Sequence, residues 1–235
     1  MIEEDLDSLF ADAGYRGMLS VLDIDGPGQI SLRADEPAYA ASSFKIAVGL
    51  ELHCQFADGE LDPAERVRLP PAERTYGGQG LCIFEDEAEI SLRDLVKLML
   101  TISDNTATDA VIRRITPERI AARLTDLGLE HTNFACTIRE HFDSVGDSLG
   151  FGDFAELTKA LATASSPAQA AELNRRYLDA FARPGAIPTT TAADMARLMR
   201  MIWRDEAGPA QACAGVRAVM GQQKLTRKIA TGFTP

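Results

Sequence analysis

Ala41-Ser42-Ser43-Phe44-Lys45-Ile46-Ala47-Val48-Gly49-Leu50-Glu51-Leu52 opens with two serines and runs at once into an apolar helical pattern. From Phe44 the spacing of Ile46, Ala47, Val48, Leu50 and Leu52 suits a central, buried helix better than a surface one. Ser42 therefore stands at or just before the helix start, one turn ahead of Lys45. Residues at i and i+3 on a helix share a face about 5–6 Å apart at Cβ, so an amine there can reach the hydroxyl. Further along, the chain reads Ser103-Asp104-Asn105 at the end of a second apolar helical stretch. An S-x-x-K arises by chance roughly once in a chain of this size, but that tripeptide arises in only about one such chain in thirty. It is the combination, and the placement of both at helix ends, that points to a site.

These residue types propose a serine nucleophile without a histidine base. To attack an acyl carbon the hydroxyl must lose its proton, and a lysine takes it only if its pKa falls well below the free value of about 10.4. Burial under Phe44, Val48 and the apolar residues beyond them is the physical route to that fall. Free N–H groups at the helix start would favour the developing negative charge. Ser103 would be a second hydroxyl relaying a proton to the leaving group. Asn105 would hydrogen-bond Lys45 or a substrate amide, and Asp104 would turn inward to backbone donors. The structural alternative is that Ser42 only caps a helix, Lys45 snorkels to solvent and residues 103–105 are an ordinary helix-ending turn.

Around these motifs, residues 17–33 read as two strands about Gly26-Pro27-Gly28. A loop-rich region comes next at 57–88, and Ser91-Leu92-Arg93-Asp94 resembles a capping box that opens an amphipathic helix ending at Ser103. Helices are expected at 106–115, from Thr116-Pro117 to near Gly128, and at 154–164, 168–182 and 191–203. After the first hairpin no further strand is expected. A two-stranded sheet is not a stable layer alone, so the pattern reads as incomplete.

With 46% hydrophobic and 25% charged residues over 235 positions, the chain can bury a large core as one unit or as two lobes sharing a site. Its net charge of −11, from 35 acidic and 24 basic residues, makes nucleic acid or an anionic membrane an unfavourable partner and a small molecule or peptide the expected one. The acidic amino terminus lacks the features of a secretory signal and no apolar run is long enough to span a membrane, so a soluble, cytoplasmic protein is expected. Cys54, Cys82, Cys136 and Cys213 are isolated and read as buried, reduced thiols. His53, His131 and His141 show no ligand spacing or triad partner and read as structural or surface residues. Gly77-Gly78-Gln79-Gly80 lacks the Lys-Ser/Thr of a phosphate loop and reads as a turn at a cleft edge, with Tyr76 beside it as a candidate cleft wall.

Ala41-Ser42-Ser43-Phe44-Lys45, Thr101-Ile102-Ser103-Asp104-Asn105-Thr106-Ala107, the Gly77–Gly80 turn and Thr189-Thr190-Thr191-Ala192-Ala193-Asp194-Met195 together resemble the class A β-lactamase and penicillin-binding-protein superfamily. That resemblance implies an α/β (α+β) fold, in which a helical lobe packs on an antiparallel-sheet lobe with the site in the cleft. It divides the chain into 1–40 in the sheet lobe, 41–215 in the helical lobe and 216–235 returning towards the sheet lobe. It implies Ser42 as acylated nucleophile, Lys45 as its proton partner, Ser103 as catalytic, Asn105 and Tyr76 as substrate-binding, a β-lactam or similar acyl substrate, and no metal or cofactor. Two departures accompany it. The family's Lys-Thr/Ser-Gly motif is missing, since Lys228-Ile229-Ala230-Thr231-Gly232 does not match it. Judged from the Thr189 segment, the motif would fall within about ten residues after Pro235, so the chain reads as lacking its last strands. The loop glutamate of the E-x-x-L-N pattern is also replaced: Ala170-Ala171-Glu172-Leu173-Asn174 has alanine at that place. Glu172, two positions later, is left as the nearest candidate for a deacylation base, against its reading as a solvated charge. Without such a base, acylation would proceed and hydrolysis would stall, giving a catalytically impaired, acyl-trapping or binding protein on the same scaffold.

Overall fold

The computed structural model describes residues 2–134, 136–182 and 188–224. Along the chain these form α1 (Ile2–Asp12), β1 (Leu19–Leu22), β2 (Gln29–Leu32), β3 (Ala38–Tyr39), α2 (Lys45–Ala57), β4 (Arg66–Leu69), β5 (Ala88–Ser91) and α3 (Leu92–Ile102). They continue with α4 (Asn105–Ile115), α5 (Pro117–Asp126), α6 (Ile138–Ser148), α7 (Phe154–Ala162), α8 (Pro167–Ala182), β6 (Thr189–Thr190), α9 (Ala192–Trp203) and α10 (Ala210–Met220). A 3-10 turn over Ala41–Phe44 leads directly into α2.

The axis of the fold is α2. Val48, Leu50, Leu52 and Cys54 are fully buried, and they pack with Leu95, Val96 and Met99 of α3, Val111 and Ile112 of α4, and Val216 of α10 in one core. A helix apolar on every side is stable only when surrounded, which is why the even hydrophobicity after Phe44 leads to the centre of the molecule. One charge is carried inside with it. Glu51 is 1% exposed but accepts hydrogen bonds from Arg123 at 2.9 Å, Arg119 at 3.2 Å and Gln55 at 2.8 Å, so its buried carboxylate is fully partnered. A second, smaller cluster, with Val145, Phe154, Leu157 and Leu173 at its heart, joins α6, α7 and α8.

β1 and β2 pair antiparallel from Leu19↔Leu32 to Leu22↔Gln29, as a hairpin about the Gly-Pro-Gly turn. Two further pairings overturn the expectation of no later strand. β4 and β5 pair antiparallel from Arg66↔Ser91 to Leu69↔Ala88, and β3 pairs with β6 through Ala38↔Thr190 and Tyr39↔Thr189. Strands of two to four residues are shorter than the alternation a sequence reading needs, and their partners lie far apart in the chain. The cross-strand Arg66–Glu89 and Arg68–Glu87 pairs on the exposed face of β4 and β5 belong to the same register.

Local signals fared unevenly. The Ser91 hydroxyl bonds the Asp94 carboxylate at 2.7 Å, and no side chain caps the backbone of α3. A complete capping box instead starts α6, where Thr137 accepts from the Glu140 amide and Glu140 accepts from the Thr137 amide. Neither α6 nor α10 was expected. Cys54 and Cys213 are buried free thiols, whereas Cys82 and Cys136 are only half-buried, which corrects the reading of all four as core residues. Among the described residues no helix is long and apolar enough to cross a membrane. The Lys228–Gly232 segment lies outside the described residues.

Candidate active site

Two backbone devices bring the serines and the lysine together. Ala41, immediately before Ser42, has φ +46°, and Ser103, the residue that ends α3, has φ +61°. Left-handed backbone at a non-glycine residue costs of order 1–3 kcal/mol and persists where the surroundings hold it in place. At Ala41 the surroundings are β3 and β6: Ala40 N–H donates to Pro188 C=O at 2.9 Å, so segment 188–190 fixes the strand that leads into the turn of Ser42. At Ser103 they are Asp104, fully buried, whose carboxylate accepts from Ala107 N–H at 3.0 Å, capping α4, and from Leu81 N–H at 2.7 Å. Gly80 makes this approach feasible. A Cβ on it would lie 2.2 Å from Asp104 Oδ2, and its φ of +79° suits glycine. The Gly77–Gly80 turn thus works as a seat for the buried aspartate.

With these supports, Lys45 Nζ donates to Ser103 C=O at 2.8 Å, to Ser103 Oγ at 3.0 Å and to Asn105 Oδ1 at 2.7 Å. Ser103 Oγ in turn donates to Ser42 Oγ at 2.8 Å. Lys45 is 2% exposed and Ser42 is exposed, so the chain of contacts runs from a buried amine to an accessible hydroxyl. The direct contact between Lys45 and Ser42 that helical spacing suggests is replaced by one through Ser103, because all three ammonium donors are used on residues 103 and 105. Burial pushes the Lys45 pKa down to about 8, against the opposing pull of Asp104 and Asp109. The neighbouring Ser43 donates its hydroxyl to Ala40 C=O at 2.6 Å.

The other sequence-derived candidates are placed differently. Asn105 accepts from Lys45 and donates from Nδ2 to Tyr76 C=O at 2.7 Å, so most of its amide is committed to the protein. Tyr76 contributes that carbonyl, but its ring packs on Phe154 with centroids 4.8 Å apart, and it lines neither of the two cavities that reach Ser42. It borders instead a separate surface cavity, with Gly77, Cys82 and Phe154, that Ser42 does not line. Glu172 sits on the exposed side of α8, bound to Arg175 at 2.7 Å, and its pKa is lowered by that partner. It lines neither cavity, so the structure does not bring it to Ser42, and the solvated-charge reading is the one it fits.

Ser42 lies where the two cavities meet. One, on the side of Lys45 and Ser103, is closed by Met99, Leu100, Met220 and Gln223. The other is lined by Tyr39, Phe44, Phe134, Thr137, Ile138, His141 and Phe142 together with Asn105. Among its described lining residues there is no Asp, Glu, Lys or Arg. His141, read from sequence as structural or surface, is buried against this cavity. Its ring stacks on Tyr39 at 5.5 Å, its Nε2 has no hydrogen-bond partner among the described residues, and burial lowers its pKa to about 4. The wall is set by Asp109 of α4, which accepts from Thr75 Oγ1 at 2.6 Å and from the first amides of α6, Ile138 at 2.7 Å and Arg139 at 3.0 Å. The Thr137-x-x-Glu140 box was the local signal for α6, but nothing local shows that its first turn faces Ser42.

Known proteins share this architecture. An ancestral class A β-lactamase superposes with a TM-score of 0.76 at 19% identity, over 100% of this chain and 76% of that one. A point mutant of PBP-A, solved as an acyl-enzyme complex with penicillin G, gives 0.73 at 17% identity, over 99% and 72%. At such identities the likeness is one of fold, which is the class A β-lactamase and transpeptidase-like fold. In sequence, the β-lactamase regulatory protein BlaB of Streptomyces cacaoi is 23% identical over 234 residues, 94% of this chain and 73% of that protein. The profile of the β-lactamase enzyme family matches residues 1–235, and the chain belongs to that family.

Proposed function

We propose that the protein forms an acyl-enzyme on Ser42 from a β-lactam or a related amide or ester. The observation that carries this reading is the continuous Lys45–Ser103–Ser42 contact from a buried amine to an exposed hydroxyl. In the neutral-amine state, Ser42 passes its proton through Ser103 to Lys45 as its Oγ bonds the acyl carbon. The bond to the leaving group then breaks, and the leaving nitrogen or oxygen takes the proton back by way of Ser103. Family membership and the fold support β-lactamase-like chemistry of this kind. Incubation with penicillin G or an activated ester, followed by intact-mass measurement and peptide mapping, tests it. An adduct on Ser42 that is lost in Ser42→Ala and kept in Ser43→Ala is expected; no adduct, or one elsewhere, overturns it.

A second reading concerns the fate of the acyl-enzyme. Activating water for hydrolysis ordinarily needs a base beside the ester, and no carboxylate lines the Ser42 cavities among the described residues. This favours an acyl-enzyme that persists, as in an acyl-trapping or binding protein, and the regulatory name of the Streptomyces cacaoi relative is in keeping with it. Decay of the adduct over hours rather than seconds would support the trap; rapid turnover would remove it.

A further inference from the structure

Ser42 lines two cavities, only one of which contains Lys45 and Ser103, and an acyl donor has two parts. The leaving group must receive a proton, and the cavity that contains Lys45 and Ser103 is where a proton is held. The acyl body is then left for the other cavity, whose walls include Tyr39, Phe134, Ile138, His141 and Phe142. We propose that this second cavity is an acyl pocket that selects uncharged acyl groups carrying a single aromatic ring or a short apolar chain, an inference that rests on Ser42 being the acylated residue.

Three observations support the assignment. The cavity, about 120 Å³, is of the size that takes a single ring, since an apolar cavity of about 150 Å³ holds benzene. Its rings are held by one another: Tyr39 packs on His141 and Phe181, Phe142 stacks on Phe154 at 4.8 Å, and Phe44 stacks on Phe134 at 4.5 Å. Such walls stay open without a ligand and offer faces and edges to a planar group. No charged side chain lines it among the described residues, and burial keeps His141 neutral at ordinary pH. A carboxylate or ammonium on the acyl group would enter without a counter-charge and lose its hydration.

The test compares acylation by the p-nitrophenyl esters of acetic, phenylacetic and succinic acids, the last carrying a free carboxylate. Burial of a phenyl ring predicts phenylacetyl transfer about 10–100 times faster than acetyl, with succinyl slower than either. Ile138→Trp fills the pocket from its wall, and Phe142→Trp, at a half-buried ring of the same wall, is a milder filling if the first variant folds poorly. Either should collapse the phenylacetyl-to-acetyl ratio at least fivefold. Binding of phenylacetamide to Ser42→Ala, followed by NMR, reads the pocket without chemistry, and should weaken when a filling substitution is added. Equal phenylacetyl and acetyl rates, or a ratio that survives both fillings, overturn the pocket. Absence of any adduct overturns the acyl-enzyme reading and leaves the phenylacetamide measurement to decide the pocket, where no binding refutes it.

Discussion

Replacing Ser103 by alanine separates the proton relay from the rest of the structure. In the intact site Ser103 Oγ is the single atom that touches both Lys45 Nζ, at 3.0 Å, and Ser42 Oγ, at 2.8 Å. Alanine removes that atom but leaves Lys45 its bonds to the residue-103 carbonyl and to Asn105 Oδ1, so the amine stays in place. The loss in stability is that of one or two partly buried hydrogen bonds, about 1–2 kcal/mol. For a chain of this size, this lowers Tm by roughly 2–8 °C. The loss in rate is that of positioned acid–base catalysis, about 10²–10⁴-fold, with the lower end applying if a water bridges the gap. Stopped-flow acylation with a chromogenic cephalosporin, from pH 6 to 10, reads both effects. In the unaltered protein the rate should rise with pH and level off above about 8, since the neutral form of Lys45 accepts the proton and burial sets its pKa there. In Ser103→Ala the plateau should fall at least a hundredfold. A variant within threefold of the parent, with the same rising limb, would show that protons do not travel through Ser103.

Other outcomes stem from the supports of the site. Asp104→Ala strips the cap of α4 and leaves the Leu81 amide buried without an acceptor; urea titration should show a loss of about 2–4 kcal/mol. Asp104→Asn keeps the shape, loses one of the two backbone N–H bonds because its amide nitrogen cannot accept, and removes a charge that favours the ammonium, so the rising limb of acylation should move below pH 8. Gly80→Ala places a methyl 2.2 Å from the Asp104 carboxylate in a left-handed backbone; it should lower Tm by several degrees and slow acylation, whereas Gly59→Ala, with open space around it, should change Tm alone. Burial holds His53 and His141 neutral, with pKa values lowered to about 4. Stability from these two groups is therefore complete above pH 6.5 and declines as the pH falls towards 4, with the double His53→Phe, His141→Phe variant showing a shallower decline in thermal melts.

The helix of Lys45, the placement of Ser42 one turn ahead of it, and the Ser103-Asp104-Asn105 turn closing α3 were all legible from the sequence. Each depends on residues three or four apart, where the period of a helix and its end signals dictate neighbours. The same locality explains the reading of Asp104 as an inward anchor, since an aspartate ahead of a helix meets the free amides of its first turn. Tertiary packing decided the rest. It chose Ser103 over a direct Lys45–Ser42 contact, because the left-handed turn at Ser103 puts its carbonyl and hydroxyl both within reach of one buried ammonium. Asp109 clamped the start of α6 so that Ile138 and His141 line one cavity with Ser42, while the same packing sent the Tyr76 ring into the second core and left Glu172 in solvent with Arg175. β3 and β6 are only two residues each and lie far apart in the chain, so no local pattern encodes their pairing, yet that pairing sets the strand that leads into the turn of Ser42. Contacts between residues close in sequence are fixed by backbone geometry, whereas contacts between distant ones exist only once the core has chosen which faces meet.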